Sequence, residues 1–186
     1  PDADIPACQH YAAGDVDADY YAVNVRNHHG DIYFDLRTPN KVYYDMQLCQ
    51  STLYNVENAV VASAVALSCG LTEAQLRQGL KTFSGIKRRF DYHISRPDLV
   101  YIDDYAHHPQ EIAATIESVR FLYPGRRVVG IFQPHLYSRT RDLAEGFAEA
   151  LSSLDEIIVL PIYPARENPI PGVSSAMIVH KIKNLS

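Results

Sequence analysis

Between Leu99 and Ser186 the chain changes its periodicity three times in the same order. Apolar runs at Leu99–Asp103, Val128–Phe132 and Ile157–Leu160 each lead through a polar loop into a stretch with helical spacing. Strands alternating with helices in this way fold as right-handed βαβ units around a parallel sheet. The first helix is predicted from Pro109 to about Leu122, with Ile112, Ala113, Ile116 and Val119 on one face. The second, near Asp142–Leu151, turns Leu143, Phe147 and Leu151 inward, and a third begins near Ser175. Three strands make a thin sheet, so at least one native edge strand is expected to be missing from this chain. In open parallel sheets, ligands bind outside the carboxyl ends of the strands. That directs attention to the loops Asp103–Pro109 and Phe132–Thr140.

Residues 19–48 read differently. Tyr20–Val25, Ile32–Leu36 and Val42–Met46 are short aromatic-rich runs, separated by His28-His29-Gly30-Asp31 and Thr38-Pro39-Asn40. They suit a small antiparallel meander. Helical spacing then takes over at Val56, Ala59, Val60, Ser63, Ala64 and Leu67, with Gly70 as the stop. Thr72 and Gln75 make a capping box for a second helix through Leu76 and Leu80. The run Phe83–Phe90 reads as a hinge carrying Arg88 and Arg89, so a domain boundary is expected there, with units 1–86 and 87–186. The fold class is therefore α/β: a C-terminal Rossmann-like parallel sheet with flanking helices, preceded by a β-meander plus helices.

A formal charge of −5 argues against a general nucleic-acid binder, which usually shows a basic footprint. Cys8, Cys49 and Cys69 are widely spaced and form no C-x-x-C pair, which fits reduced cytosolic thiols. No apolar stretch approaches the roughly 18 residues of a membrane span. The acidic start Pro1-Asp2-Ala3-Asp4 lacks a methionine and any signal-peptide pattern, so a cut end is expected. None of the nine glycines is followed by Lys, so no phosphate-cradling G-x-x-x-x-G-K-[ST] loop is present.

The loop residues carry chemistry, each beside a plainer alternative. Arg88 and Arg89 offer forked donors that suit phosphate oxygens, or form a solvated surface run. Asp103 and Asp104 could accept from ribose hydroxyls, assist a metal-bound phosphate, or cap the next helix. His107 and His108 are adjacent and point apart, so they suit an amine positioner or proton acceptor better than a metal site. Arg139 is a natural bidentate clamp for a carboxylate, whereas Arg141 reads as a surface residue. Arg166 and Glu167 face the same crevice or pair with each other. Asn55 is an acceptable N-cap, whereas Asn58 is a poor helix former whose side chain hints at a ligand such as a purine edge.

Five words stand in one order: Asn55-x-x-Asn58-Ala59, Phe83-x-Gly85-x-Lys87-Arg88-Arg89-Phe90, Asp103-Asp104-Tyr105-Ala106-His107-His108-Pro109-x-Glu111-Ile112, Phe132-Gln133-Pro134-His135-Leu136-Tyr137-Ser138-Arg139-Thr140, and Ile162-Tyr163-x-Ala165-Arg166-Glu167. Together they resemble the Mur ligases of peptidoglycan synthesis, in the branch that joins an amino acid to a sugar nucleotide. The resemblance implies a fragment covering the later part of a central ATPase domain and most of a C-terminal domain, inert in catalysis by itself. It implies ATP-dependent amide formation in the cytoplasm: ATP and Mg2+ activate the lactyl carboxylate of UDP-N-acetylmuramate as an acyl phosphate, which the amine of L-alanine attacks. By motif, Asn55, Asn58, Arg89 and Asp104 fall to ATP, while Tyr105, His107 and Arg139 line the alanine and acyl side, with His107 and Arg139 catalytic. Mg2+ would be held mainly by parts upstream, and no metal ligand is assigned here. The family usually has Gly-x-His-Asn before the long helix, where this chain has Thr52-Leu53-Tyr54-Asn55, so adenine contacts can differ in detail. Apolar surface that neighbouring parts would cover gives the isolated chain a motive to form a homodimer. Rival readings are a murein-peptide recycling ligase, a non-catalytic nucleotide or amino-acid binding module, and a metal-dependent hydrolase using the His pairs.

Overall fold

A computed structural model of the chain describes residues 11–13, 17–49 and 52–185. Cys8 and the acidic start lie outside the described residues. The chain divides into two compact units, Pro1–Lys87 and Arg88–Ser186.

The first unit is built on a four-stranded sheet in sequence order, β1 (Tyr11–Ala13), β2 (Tyr20–His28), β3 (Asp31–Arg37) and β4 (Val42–Leu48). β2, β3 and β4 form the expected meander, and the three-residue β1, too short to carry a period, adds to β2 in parallel. His29 (φ 56) and Gly30 (φ 90) make the two-residue link from β2 to β3. Such links require positive φ at both positions, which explains the Gly. The His28-His29 pair is thus a hairpin tip.

Register shifts interrupt β2 between Val23 and Arg26, and β3 between Phe34 and Leu36. Asp35, only 6% exposed, organises both. It accepts from Asn24 Nδ2 at 2.8 Å and from the Asp45 N–H at 3.0 Å, with Arg26 Nη1 at 3.7 Å. Burial works to raise its pKa, but these hydrogen bonds and the Arg26 charge outweigh that and hold the carboxyl below the usual range. Asn24 (φ 53) and Asp45 (φ 55) are the left-handed residues it fastens.

Ile32, Phe34, Leu36 and Met46 are fully buried, and burying each such side chain stabilises by about 1.5–3 kcal/mol. Helix α1 (Tyr54–Ser68) turns Val56, Ala59, Val60, Ser63 and Ala64 inward, five of the six residues its spacing selected. Ser63 satisfies its buried hydroxyl by donating to the Ala59 carbonyl. Gly70 (φ 84) ends the segment. Helix α2 (Glu73–Thr82) opens with the Thr72–Gln75 capping box and packs against β4.

In the second unit, β5 (Asp91–Ser95) pairs antiparallel with β6 (Val100–Asp103). After α3 (Pro109–Leu122) come β7 (Val129–Phe132), α4 (Tyr137–Asp142), α5 (Ala144–Leu151), β8 (Glu156–Val159) and α6 (Ala176–Leu185). The α/β architecture with a parallel pair and flanking helices is present, the parallel ladder joining β7 to β8. The expectation that Leu99–Asp103 joins that ladder is corrected, because its hydrogen-bonded partner is β5. A tight turn, with Arg96 and Leu99 exchanging backbone hydrogen bonds, folds the polar-rich run Asp91–Ser95 back onto it.

Ile112, Ile116, Phe132, Phe147, Ala150, Leu151 and Ile178 form the core of this unit, with the Phe132 and Phe147 rings 5.1 Å apart. Ala113, expected to face inward, is exposed, and Leu122 is buried instead. Gly146 lets α5 approach α3 closely, since a Cβ there would lie 2.9 Å from the Pro109 ring. The other face of the β7–β8 ladder leaves Val129, Ile131, Ile158 and Leu160 exposed, with Ile131 registered against Ile158.

Candidate active site

The loop after β6 is fastened to the segment that opens the second unit. One Asp104 oxygen accepts the Phe90 N–H at 2.9 Å and the other the Ala106 N–H at 2.7 Å. The Tyr105 N–H donates to the Arg88 carbonyl at 2.7 Å, and the Arg88 guanidinium lies 5.0 Å from the Tyr105 ring centre. Arg88 (φ 61) and Phe90 (φ 51) are both left-handed, a conformation that persists only where surroundings over-determine it. Burial pushes the Asp104 carboxyl above the ordinary aspartate range, and its two N–H partners with the nearby Arg89 charge offset only part of this. Asp103 stands 3.9 Å from Arg88 Nε. Neither aspartate caps the following helix.

That cap comes from His108, whose Nδ1 accepts the Gln110 N–H at 3.4 Å, in a capping box with Glu111. Glu111 Oε2 accepts the N–H groups of His107 and His108 at 2.9 and 3.1 Å. The His107 N–H does most to hold the Glu111 carboxyl below its usual range, against a smaller opposing effect of burial, with the His108 N–H and both imidazoles assisting. His107 Nδ1 lies 3.0 Å from the Tyr105 carbonyl and 3.3 Å from Glu111 Oε2. Both neighbours only accept, so in a singly protonated ring the hydrogen lies on Nδ1 and the lone pair on Nε2. The Tyr105 and His107 rings meet edge to face at 5.3 Å.

The loop after β7 is not a loop throughout. Arg139 sits in the first turn of α4, a short helix where a loop was expected, and the helix expected near Asp142–Leu151 follows the break at Leu143 as α5. Thr140 is buried and back-bonds to the Leu136 carbonyl at 2.7 Å. Arg141 pairs with Asp142 at 2.7 Å, in keeping with a surface role. Among the described residues, no hydrogen bond or ion pair occupies the half-buried Arg139 guanidinium. Glu167 does not pair with Arg166, as one alternative had it. Instead it accepts the Ser138 N–H at 3.0 Å and the Ser138 hydroxyl, which with the Tyr137 N–H lower its pKa.

Arg89, Asp104, Tyr105, His107 and Arg139 all belong to the second unit. Ala106 of the first loop packs against the core that holds Phe132, the residue opening the second loop, so one cluster supports both. Asn55 and Asn58 belong to the first unit. Asn55 is not the N-cap: α1 starts at Tyr54 after Leu53, with Asn55 inside the first turn accepting from Asn58 Nδ2 at 2.8 Å. Each amide thus fixes the other's orientation, leaving the exposed Asn58 a carbonyl and a second N–H to offer. Among the described residues, no group of three His, Cys, Asp or Glu side chains could hold a metal ion. Sequence reasoning missed Glu111 as the clasp of the His107-His108 backbone, because the box opens on His where Ser or Thr is the usual signal. Tyr163 was missed too; its ring stacks on His135 at 5.5 Å, and its carbonyl accepts the Leu136 N–H.

Polar, ring-bearing loops thus stand at the carboxyl ends of strands in an α/β domain, and carry a half-buried guanidinium that is unpaired among the described residues. Residues 88–186 match the Mur ligase, glutamate ligase domain, and the chain belongs to the Mur ligase family. More particularly, it is 52% identical to the UDP-N-acetylmuramate–L-alanine ligase of Parabacteroides distasonis over 89% of this chain and 36% of that protein. It is 46% identical to the ligase of the same name from Porphyromonas gingivalis, over 94% of this chain and 38% of that one. The crystal structure of UDP-N-acetylmuramate-alanine ligase MurC from Thermotoga maritima superposes with a TM-score of 0.77 at 27% identity, covering 94% of this chain and 37% of that chain. A folylpolyglutamate synthase from the same organism shares the fold, with a TM-score of 0.65 at 21% identity, over 90% of this chain and 38% of that one. The chain thus spans little more than a third of the length of the curated relatives it matches.

Proposed function

We propose that this chain is the later part of the central ATP-binding domain and most of the C-terminal domain of a ligase that adds L-alanine to UDP-N-acetylmuramate, forming an amide at the expense of ATP in the bacterial cytoplasm. The observation that carries the reading is the Arg139 guanidinium in the first turn of α4, unpaired among the described residues, in a chain whose relatives bear that enzyme's name. Arg139 clamps the alanine carboxylate with two parallel hydrogen bonds. His107, with its hydrogen held on Nδ1 by Tyr105 and Glu111, turns Nε2 to the alanine ammonium and takes its proton; the amine attacks the acyl phosphate, whose acyl C–O bond breaks to release inorganic phosphate. Tyr105 lines the same side. Arg89 meets the ATP phosphates, and Asp104, with both oxygens on backbone N–H groups, supports that contact by holding Phe90 beside it. Asn55 and Asn58 contact adenine as a mutually oriented pair.

Mg2+ would neutralise the phosphates, held mainly by parts of the enzyme outside this chain. The chain alone forms no amide, having no phosphate loop. No nucleic acid or membrane partner enters the reading, and no described helix is long and apolar enough to cross a membrane. The bare β7–β8 face is the surface through which the isolated chain would form a homodimer.

The test compares the full-length ligase with its Arg139→Ala variant. Losing a charge-assisted contact costs about 1.5–3 kcal/mol, about a ten- to hundredfold rise in KM for L-alanine. Turnover only with a peptide acceptor would replace this reading with the recycling ligase. No turnover with either acceptor would leave a binding module.

A further inference from the structure

The turn that carries Arg139 is held from outside itself. Its preceding residue, Leu136, has φ 70 and ψ 138 and gives no side-chain cap, and a helix of six residues is too short to persist on its own local bonds. The loop after β8 supplies what α4 lacks. The Leu136 N–H donates to the Tyr163 carbonyl at 2.9 Å, and the Tyr163 N–H to the Pro134 carbonyl at 2.8 Å, so the two loops continue the β7–β8 ladder. One turn later the Glu167 N–H donates to the Pro164 carbonyl at 2.9 Å, with Ala165 at φ 52. That turn delivers the Glu167 carboxylate to Ser138, one oxygen to its N–H and the other to its hydroxyl. Two residues with side chains, Leu136 and Ala165, thus hold left-handed conformations in paired loops, and strain of this kind collects where geometry matters for function.

We propose that Glu167 is the positioning residue for Arg139. Its carboxylate fixes Ser138, the immediate neighbour of Arg139, and so sets where the guanidinium stands to receive the acceptor's carboxylate. This rests on the proposed alanine-adding reaction and deepens it. The Glu167 hydrogen bonds go to Ser138, so the carboxylate orders the turn while leaving Arg139 open to the substrate. Thr140 anchors the same turn on its buried side, which leaves the Ser138 side as the one Glu167 has to fix.

The experiment measures steady-state kinetics of the full-length ligase carrying Glu167→Ala, Glu167→Gln or Ser138→Ala. Glu167→Ala should raise KM for L-alanine about tenfold or more while KM for ATP stays within about twofold. Glu167→Gln should restore most of the loss, because its amide can accept the Ser138 N–H and exchange a hydrogen bond with the hydroxyl. Ser138→Ala, which removes one of the two bonds, should fall between. A uniform rise in both KM values, an unchanged alanine KM, or a Gln variant as poor as Ala would overturn the assignment. If the wild-type enzyme forms no amide, it is the reaction that fails. The latch is then judged by hydrogen exchange at the Ser138 amide: lost protection in Glu167→Ala upholds it, and unchanged protection refutes it.

Discussion

Glu111→Ala should unfasten the start of α3 and the imidazole beside it. In the wild type, one carboxylate oxygen accepts two successive N–H groups, His107 at 2.9 Å and His108 at 3.1 Å. Hydrogen bonds to a charged group contribute about 1.5–3 kcal/mol each in a sheltered setting. The Glu111 side chain is 47% exposed, however, so water screens the charge and replaces part of what is lost. The loss of a helix cap costs about 0.5–2 kcal/mol, and about 1–2 kcal/mol is the figure this geometry supports. For a unit of this size, that lowers Tm by about 5–10 °C. The sign of the pH dependence follows from the depressed pKa of Glu111. Its contribution is present above the unfolded-state value and is lost as pH falls through the folded one, so the gap between wild type and variant should close in acid. Thermal unfolding followed by circular dichroism, at neutral pH and near pH ~3, reads both effects. Equal melting temperatures at neutral pH, or a gap that widens in acid, would refute the capping argument.

Two further outcomes follow from packing and from a buried charge. Gly146→Ala gains about 1 kcal/mol of helix propensity but drives a Cβ to 2.9 Å from the Pro109 ring, where overpacking costs about 1–3 kcal/mol. Urea unfolding should show no net gain, and a clear stabilisation would mean the α3–α5 approach is looser than drawn. Asp35→Asn turns an amide N–H toward either Asn24 Nδ2 or the Asp45 N–H, both donors, and should cost about 1–3 kcal/mol. The same denaturant measurement decides it, a neutral result showing that the two bulges do not depend on the carboxylate.

The meander, the two helices of the first unit and the helix–strand alternation of the second were legible because each rests on local periodicity or on a local stop such as Gly70. So was the Thr72–Gln75 box, a contact three residues apart. Long-range pairing was not legible. Asp91–Ser95 mixes polar and apolar residues, so only the turn that folds it onto Val100–Asp103 reveals it as a strand. The candidate residues could be named from sequence because motif wording needs no geometry, but their partners could not. Whether Glu167 met Arg166 or Ser138 depends on how the loop after β8 crosses the start of α4, and that is fixed by the β7–β8 ladder. Likewise the open Nε2 of His107 follows from where the Tyr105 carbonyl falls. The sequence alone therefore determined most of the elements and which side chains are candidates for chemistry, since both are read from residues a few positions apart. The tertiary structure alone decided which of those side chains are tied down and which are left free, because that depends on contacts between segments far apart in the chain.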